Sequence, residues 1–417
     1  MAVSSSLQRI GAALWHRNFG WYIWGSSVAL IGIWAQRLTV GWLAWELTES
    51  GFWLGFVVFA DLFPTVILTP FAGVMADRVN RHRMMFTTQS LGMLQAFTLA
   101  ALAMTGNITI WVLVGANFFI GCVWAFNTAA RLSMVPNLME PEIVPAGISM
   151  DSAMFNIARF IGPAIAGFLF AAYGAGMSFL INGVTFLVFL ACLLKVRMIR
   201  DERSGRRGSG NLLMQATEGM RHAANHDGLG PVLILVTAIA VGVKPLLELL
   251  PGVTGEVYAG GATDLGWLMS SSAAGATAAS FWLAQRPSAV GLTRILFTVL
   301  ALGGLGAFGF LVTTHYAFGL VVAVFMGAII VIGGTGTQVL MQNAVEGAMR
   351  GRVMSLYGMI FRGGPALGAL AIGSAAEFVG FPAALAGGGC ICLVAWVWLR
   401  PRRAKMIPAL ETGRLGK

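Results

Sequence analysis

Twelve apolar runs, each about as long as a bilayer core demands, follow one another along the chain with short polar breaks between them. A hydrocarbon layer of about 30 Å takes about 20 helical residues. The runs fall at 19–47, 53–76, 84–105, 109–131, 147–173, 178–196, 231–252, 264–284, 291–312, 317–341, 353–376 and 380–400. Inside lipid the backbone must satisfy its own hydrogen bonds, so such runs are read as helices. The expected fold is an all-α polytopic membrane protein of twelve transmembrane helices in two pseudo-symmetric six-helix bundles. Residues 1–196 make the first bundle and 231–402 the second, with a connector over 197–230 and a tail over 403–417. In the connector Leu212, Leu213, Ala216, Met220 and Ala223 recur at helical spacing and predict a short amphipathic helix on the membrane surface.

Composition removes the soluble alternatives: 57% of residues are hydrophobic and only 11% charged. Charge then sets orientation. The breaks at 48–52, 106–108, 174–177, 253–263, 313–316 and 377–379 hold no Lys or Arg. Apart from Arg37, Arg159, Lys244 and Arg362, the other 23 of the 27 basic residues lie in the opposite set of segments or at their helix ends. The positive-inside rule therefore predicts a cell-membrane protein, at the inner membrane, with both termini cytoplasmic. The +10 net charge asks for no nucleic-acid partner. The first 18 residues lack a cleavable signal pattern, and Trp15, Trp21, Tyr22 and Trp24 fit an interfacial belt leading into helix 1. Cys122, Cys192, Cys390 and Cys392 all lie in apolar runs, which supports neither a disulfide framework nor a thiolate metal site. No nucleophile, base and orienter arrangement, ATP-binding loop or cofactor motif emerges, so an enzyme is not expected. Gly304, Gly306 and Gly309 fit a dinucleotide spacing but sit inside an apolar helix, and His222 and His226 lack a third metal ligand.

Between the second and third runs stands Gly73-Val-Met-Ala-Asp77-Arg78-Val-Asn-Arg81-His-Arg83. This stretch resembles the signature loop of the major facilitator superfamily. Gly73 is expected to admit a neighbouring helix, Asp77 to sit at a helix end, and Arg78, Arg81 and Arg83 to stay with water and headgroups. Asn156 to Pro163, Leu43 to Ser50 and Arg350 to Ser355 extend the likeness to the exporters that include the enterobactin exporter and macrolide efflux proteins, the transmembrane secretion effector group. That resemblance implies alternating access by a monomer, a small-molecule substrate, protons as coupling ion, and a cytoplasmic latch of Asp77 with Glu346, Arg350 and Arg352. Gly162, Pro163 and Gly167 resemble a helix-5 antiporter motif, without its usual adjacent glycine pair, and are echoed in the second half by Gly364, Pro365 and Gly368. The second half lacks the Asp-Arg core of the signature loop over 284–294, so the gate is expected to be asymmetric.

An ionisable group at the bilayer centre costs several kcal/mol, about 2.5–3.5 on the mildest scale, so buried charges mark function. Counting about 1.5 Å per residue, Arg37 on helix 1 and Lys244 on helix 7 lie roughly 12 to 15 Å deep, at equivalent places in the two halves. In the superfamily helices 1, 4, 7 and 10 line the substrate cavity, so the resemblance makes Arg37 and Lys244 candidate cargo contacts. Arg159 and Arg362, on helices 5 and 11, either hold the halves or reach the same cavity. Asp61 is level with Arg37, and Glu248 stands at i,i+4 from Lys244. These acids either neutralise their cations or, with Asp151 near the cytoplasmic end of helix 5, carry the coupling proton. Gln36, Asn117, Asn127 and Gln338 offer uncharged contacts to cargo or merely bond neighbouring backbone, and Trp34, Trp42 and Phe126 offer stacking surfaces or packing. Four cations against Asp61 and Glu248 favour an anionic cargo such as a siderophore. A pump for neutral macrolide-type drugs, a lipid flippase and a non-transporting membrane sensor are the alternatives.

Overall fold

The computed structural model describes residues 16–198, 220–221, 223–286, 288–312, 314–345 and 347–411, and of residues 77, 347 and 348 the backbone alone. Among these residues there are helices and no strand. We name α1 Arg17–Thr48, α2 Gly51–Arg78, α3 Arg81–Met104 and α4 Ile110–Met134. Val144–Leu193 bends at Gly174 into α5 (144–173) and α6 (175–193). The segments Leu229–Ala238, Lys244–Glu248 and Leu250–Gly252, with two π-turns, form an articulated α7. Then come α8 Ala262–Ala284, α9 Leu292–Val312 and α10 Tyr316–Ala344. Gly347–Leu399 bends at Gly380 into α11 (347–379) and α12 (381–399), and α13 is Arg403–Glu411.

These elements coincide with the predicted apolar runs, and eight described helices, counted with those bends unbroken, are long and apolar enough to cross a membrane. Their ends follow local chemistry. The Asn80 side chain accepts from the Arg83 amide at 3.0 Å and starts α3, and Thr109 caps α4 at the Val112 amide. The two bends need glycine, because Gly174 and Gly380 have φ of 75° and 78°, where a Cβ is strained. Of the amphipathic connector helix, Leu212, Leu213 and Ala216 lie outside the described residues.

Two compact units divide the chain. One holds Met1–Leu47, Phe63–Arg207 and Gly261–Ser270, and the other Thr48–Leu62, Gly208–Gly260 and Ser271–Lys417. The first unit's core packs Phe19, Tyr22 and Ile23 of α1 against Met84 and Met85 of α3, Met134 of α4, and Phe189 and Leu193 of α6. Within it the start of α8 docks on α5: Ser270 donates to the Phe160 carbonyl at 2.7 Å and Thr263 to that of Gly167 at 3.3 Å. In the second unit the start of α2 docks on α11, where a Cβ on Gly51 would stand 2.6 Å from the Gly373 carbonyl oxygen.

Candidate functional site

The first unit gathers aromatic and cationic side chains along α1, α4 and α5. On α1, Arg37 stands one turn after Trp34, and its guanidinium lies 5.6 Å from the indole centroid. Arg159 of α5 brings a second guanidinium to the same indole at 5.5 Å. That approach exists because α5 comes very close to α1: a Cβ on Gly162 would meet the Trp34 Cβ at 2.7 Å and the Ile31 carbonyl at 2.8 Å. One turn below Arg159, Phe155 meets Trp34 edge to face at 5.7 Å, and Arg131 of α4 lies 5.6 Å from the Phe155 ring. Arg131 ends on Asp151, donating Nε at 3.1 Å and Nη2 at 2.8 Å to the same Oδ2. The Tyr22 hydroxyl completes the cluster by donating to Asp151 Oδ1 at 3.3 Å. Asp151 is thus a paired acid inside the bundle. The indole N–H of Trp34 is buried with no hydrogen-bond partner among the described residues.

Uncharged candidates are engaged by neighbours. Asn182 of α6 donates to Gln36 at 2.6 Å, and Gln36 donates to Gln95 of α3 at 2.9 Å, a buried bridge across three helices. Asn127 donates to the Thr88 hydroxyl of α3 at 3.1 Å, and Asn117 back-bonds to the Leu113 carbonyl at 2.8 Å. Gln338 is half-buried on α10.

In the second unit Lys244 opens the short helix Lys244–Glu248 directly after the π-turn Ile239–Val243. Its ammonium donates to the Phe361 carbonyl of α11 at 2.7 Å and lies 4.0 Å from that residue's ring centroid. Phe361 stacks on Tyr357, whose hydroxyl donates to the Gly334 carbonyl of α10 at 3.0 Å. Glu248 is half-buried at the end of the Lys244 segment, and Arg362 is exposed. Asp61 belongs to the second unit with Thr48–Leu62, whereas Arg37 belongs to the first.

At the signature loop, Arg81 donates to the Ser133 carbonyl at 3.4 Å and a His82 ring nitrogen meets the Leu193 carbonyl at 2.8 Å, seating the loop on α4 and α6. Gly73 departs from expectation, since nothing among the described residues lies within 4 Å of a Cβ placed there. Arg78 and Arg83 are exposed, Arg350 and Arg352 half-buried, and Glu346 lies outside the described residues. In the helix-5 motif, Gly162 meets α1 as above, and a Cβ on Gly167 would meet the Ala262 carbonyl of α8 at 2.7 Å, so the motif packs one helix against two others. At the opposite helix ends, Glu377 of α11 accepts from the Ser50 hydroxyl at 2.5 Å and the Phe52 amide at 2.9 Å, capping α2.

No group of three His, Cys, Asp or Glu among the described residues is placed to hold a metal. Sequence reasoning missed the partners rather than the charges: Arg131 read only as a cytoplasmic cation, and Tyr22 as a belt residue. The order of the helices brings the end of α4 and the start of α5 to one side of the membrane, but nothing in the sequence pairs these particular side chains.

The model of the family described as transmembrane secretion effector matches residues 11–411. The staphyloferrin A transporter of Staphylococcus aureus is 26% identical over 92% of the chain and 97% of that protein. Macrolide efflux protein A of Streptococcus pyogenes is 22% identical over 59% of the chain and 61% of that protein. The multidrug efflux pump Tap of Mycolicibacterium fortuitum is 23% identical over 82% and 85%. Among solved structures, the nucleoside transporter NupG superposes with a TM-score of 0.71 at 13% identity, over 92% of this chain and 98% of that one. The inward-open xylose transporter XylE from E. coli superposes with a TM-score of 0.68 at 15% identity, over 93% and 97%.

Proposed function

Since the chain belongs to the transmembrane secretion effector family of major facilitator transporters, we propose that it exports a small amphipathic anion, such as a siderophore, by proton-coupled alternating access. The observation that carries this reading is the pair of guanidiniums, Arg37 and Arg159, gathered at the Trp34 indole. A guanidinium recognises carboxylate or phenolate oxygens with directed hydrogen bonds while its face rests on an aromatic ring. Two of them beside one ring suit an amphipathic anion and disfavour a cationic drug. The full-length similarity to a siderophore transporter agrees with this cargo class. Lys244 supplies the cation of the second half, and Asp61, Glu248 and Asp151 are the acids proposed to take the proton.

In this reading protonation of Asp151 releases Arg131 from the two hydrogen bonds to that carboxylate's Oδ2, and the freed charge loosens the cytoplasmic end of the bundle. Asp77 is proposed to latch the same face against the start of α11, with both termini in the cytoplasm of the inner membrane. A pump for neutral drugs is the second reading, favoured by the similarity to macrolide and multidrug efflux proteins.

The test is uptake into inside-out proteoliposomes under an imposed pH gradient, acid inside. A catecholate or carboxylate siderophore should accumulate, and a protonophore should abolish the accumulation. If an uncharged hydrophobic drug accumulates under the same gradient, and only in vesicles that hold the protein, while the anions do not, the second reading replaces the first.

A further inference from the structure

The junction of α12 and α13 carries a feature that cargo transport does not use. Val394, Val397 and Trp398 are exposed at 68%, 62% and 46%, an apolar strip running down the last turns of α12. The strip ends at exposed Arg400, Arg402 and Lys405. The Arg402 guanidinium lies 3.6 Å from the Trp398 ring centroid, and its Nη1 donates to the Trp398 carbonyl at 2.9 Å. A ring that fixes a guanidinium at the end of an apolar strip matches the two parts of a phospholipid, since acyl chains cover the strip and the phosphate meets the cations.

Beyond these cations the chain is anchored to the bundle. Met406 and Leu410 of α13 are fully buried, and the Glu411 carboxylate accepts from the Gly291 amide at 2.8 Å and the Thr293 amide at 3.0 Å, capping α9. Asn343 at the end of α10 donates to the Leu410 carbonyl at 3.1 Å. The basic turn is therefore held between a transmembrane helix and a docked helix, with the Arg402 guanidinium over Trp398 and that of Arg400 5.5 Å from the Trp396 ring centroid.

We propose that the α12–α13 junction binds one anionic phospholipid, its headgroup phosphate on Arg400, Arg402 and Lys405 and its acyl chains along Val394, Val397 and Trp398. The complementarity favours a lipid over a soluble anion, because the apolar strip is continuous with the charge.

The probe is native mass spectrometry of the detergent-purified protein exchanged with phosphatidylglycerol or phosphatidylcholine. Wild type is expected to retain one phosphatidylglycerol at least fivefold more than phosphatidylcholine. The triple variant Arg400→Gln, Arg402→Gln, Lys405→Gln should lose that preference, and Arg400→Lys with Arg402→Lys should keep it. Thermal unfolding reports whether each variant is folded, and Val394→Ser with Val397→Ser, which leaves the cations in place, should also shed the lipid. Equal retention of the two lipids by wild type, or unchanged preference in the folded triple variant, overturns the proposal. Displacement by millimolar inorganic phosphate, with the Val394 and Val397 variant unaffected, shows a soluble-anion site and overturns it too.

Discussion

Helices α1 and α7, which the order of the apolar runs predicts to be counterparts in the two halves, each carry a cation within an apolar run, yet they are built in opposite ways. α1 runs unbroken for 32 residues, with Arg37 and Trp34 on a continuous rod. Its polar side chains are tied sideways, Gln36 to α3 and α6 and Tyr22 to α5. α7 is interrupted by π-turns at Ile239–Val243 and Val253–Val257, and Lys244 sits at the first of these joints. Pro245 and Pro251 explain the articulation, since each lacks the amide that would close the preceding turn. A π-turn adds a residue to the ring of a hydrogen bond and rotates the helix beyond it, and such turns are frequent at functional sites. Matched charge therefore does not imply matched mechanics: the first half presents a rigid cationic wall, and the second carries its cation on a joint.

Breaking the rigid side should cost most. Arg131→Gln leaves the part-buried Asp151 without its partner, and the loss should fall below the roughly 3–5 kcal/mol of a fully buried pair. A clear fall in the thermal midpoint is expected, and Arg131→Gln with Asp151→Asn should recover much of it. A midpoint unchanged in the single variant would show that the pair does not stiffen α1, α4 and α5. The joint is tested by Pro245→Ala, which restores an amide to α7. Turnover should fall several-fold while cargo affinity holds; equal turnover would mean that the π-turn is not used. Gln36→Leu should lower stability by about 1–2 kcal/mol, because hydrogen bonds between membrane helices contribute modestly. Replacing Lys244, which is not part of that bridge, should leave this loss additive.

Those outcomes also mark how far the sequence could be read. The apolar runs were legible because a bilayer imposes one length and one secondary structure, so even the bends at Gly174 and Gly380 fall in or beside predicted breaks. Buried charges were legible one at a time, since a cation inside an apolar run is conspicuous. Their partners were not. Nothing in the spacing joins Tyr22 to Asp151 across 129 positions, or Lys244 to a backbone carbonyl at Phe361. The π-turns escaped because α7 keeps its apolar composition through both, and only Pro245 and Pro251 hinted at them. Gly73 failed for a related reason: a glycine in a familiar motif suggests close packing, but packing depends on which helix crosses there.

The smallest expected effect lies where α2 meets α11. Glu377 lies beyond the apolar run 353–376, and its carboxyl is held below the usual glutamate range by the Ser50 hydroxyl and the Phe52 amide. A pKa lowered on folding means that the contact is fully formed above the ordinary carboxylate range and is lost as pH falls through the lower folded value. An environment-sensitive fluorophore attached beforehand to Phe52→Cys should change its emission only in acid below that range, and Glu377→Gln should remove the pH dependence. An emission change already present near neutral pH would contradict the assignment. The group is exposed, so stability of the whole protein should scarcely change.

Whether the rigid cationic wall around Trp34 recognises an anion is decided by cargo affinity in Arg37→Gln. Binding of an anionic compound and of a neutral analogue of similar shape is measured by calorimetry on the purified protein. A hydrogen bond to a charged group contributes about 1.5–3 kcal/mol, so the anion should weaken roughly tenfold or more while the neutral analogue holds its affinity. Equal weakening of both, or restoration of anion transport in Arg37→Gln with Asp61→Asn, would show that Arg37 only balances buried charge and that the wall does not recognise cargo.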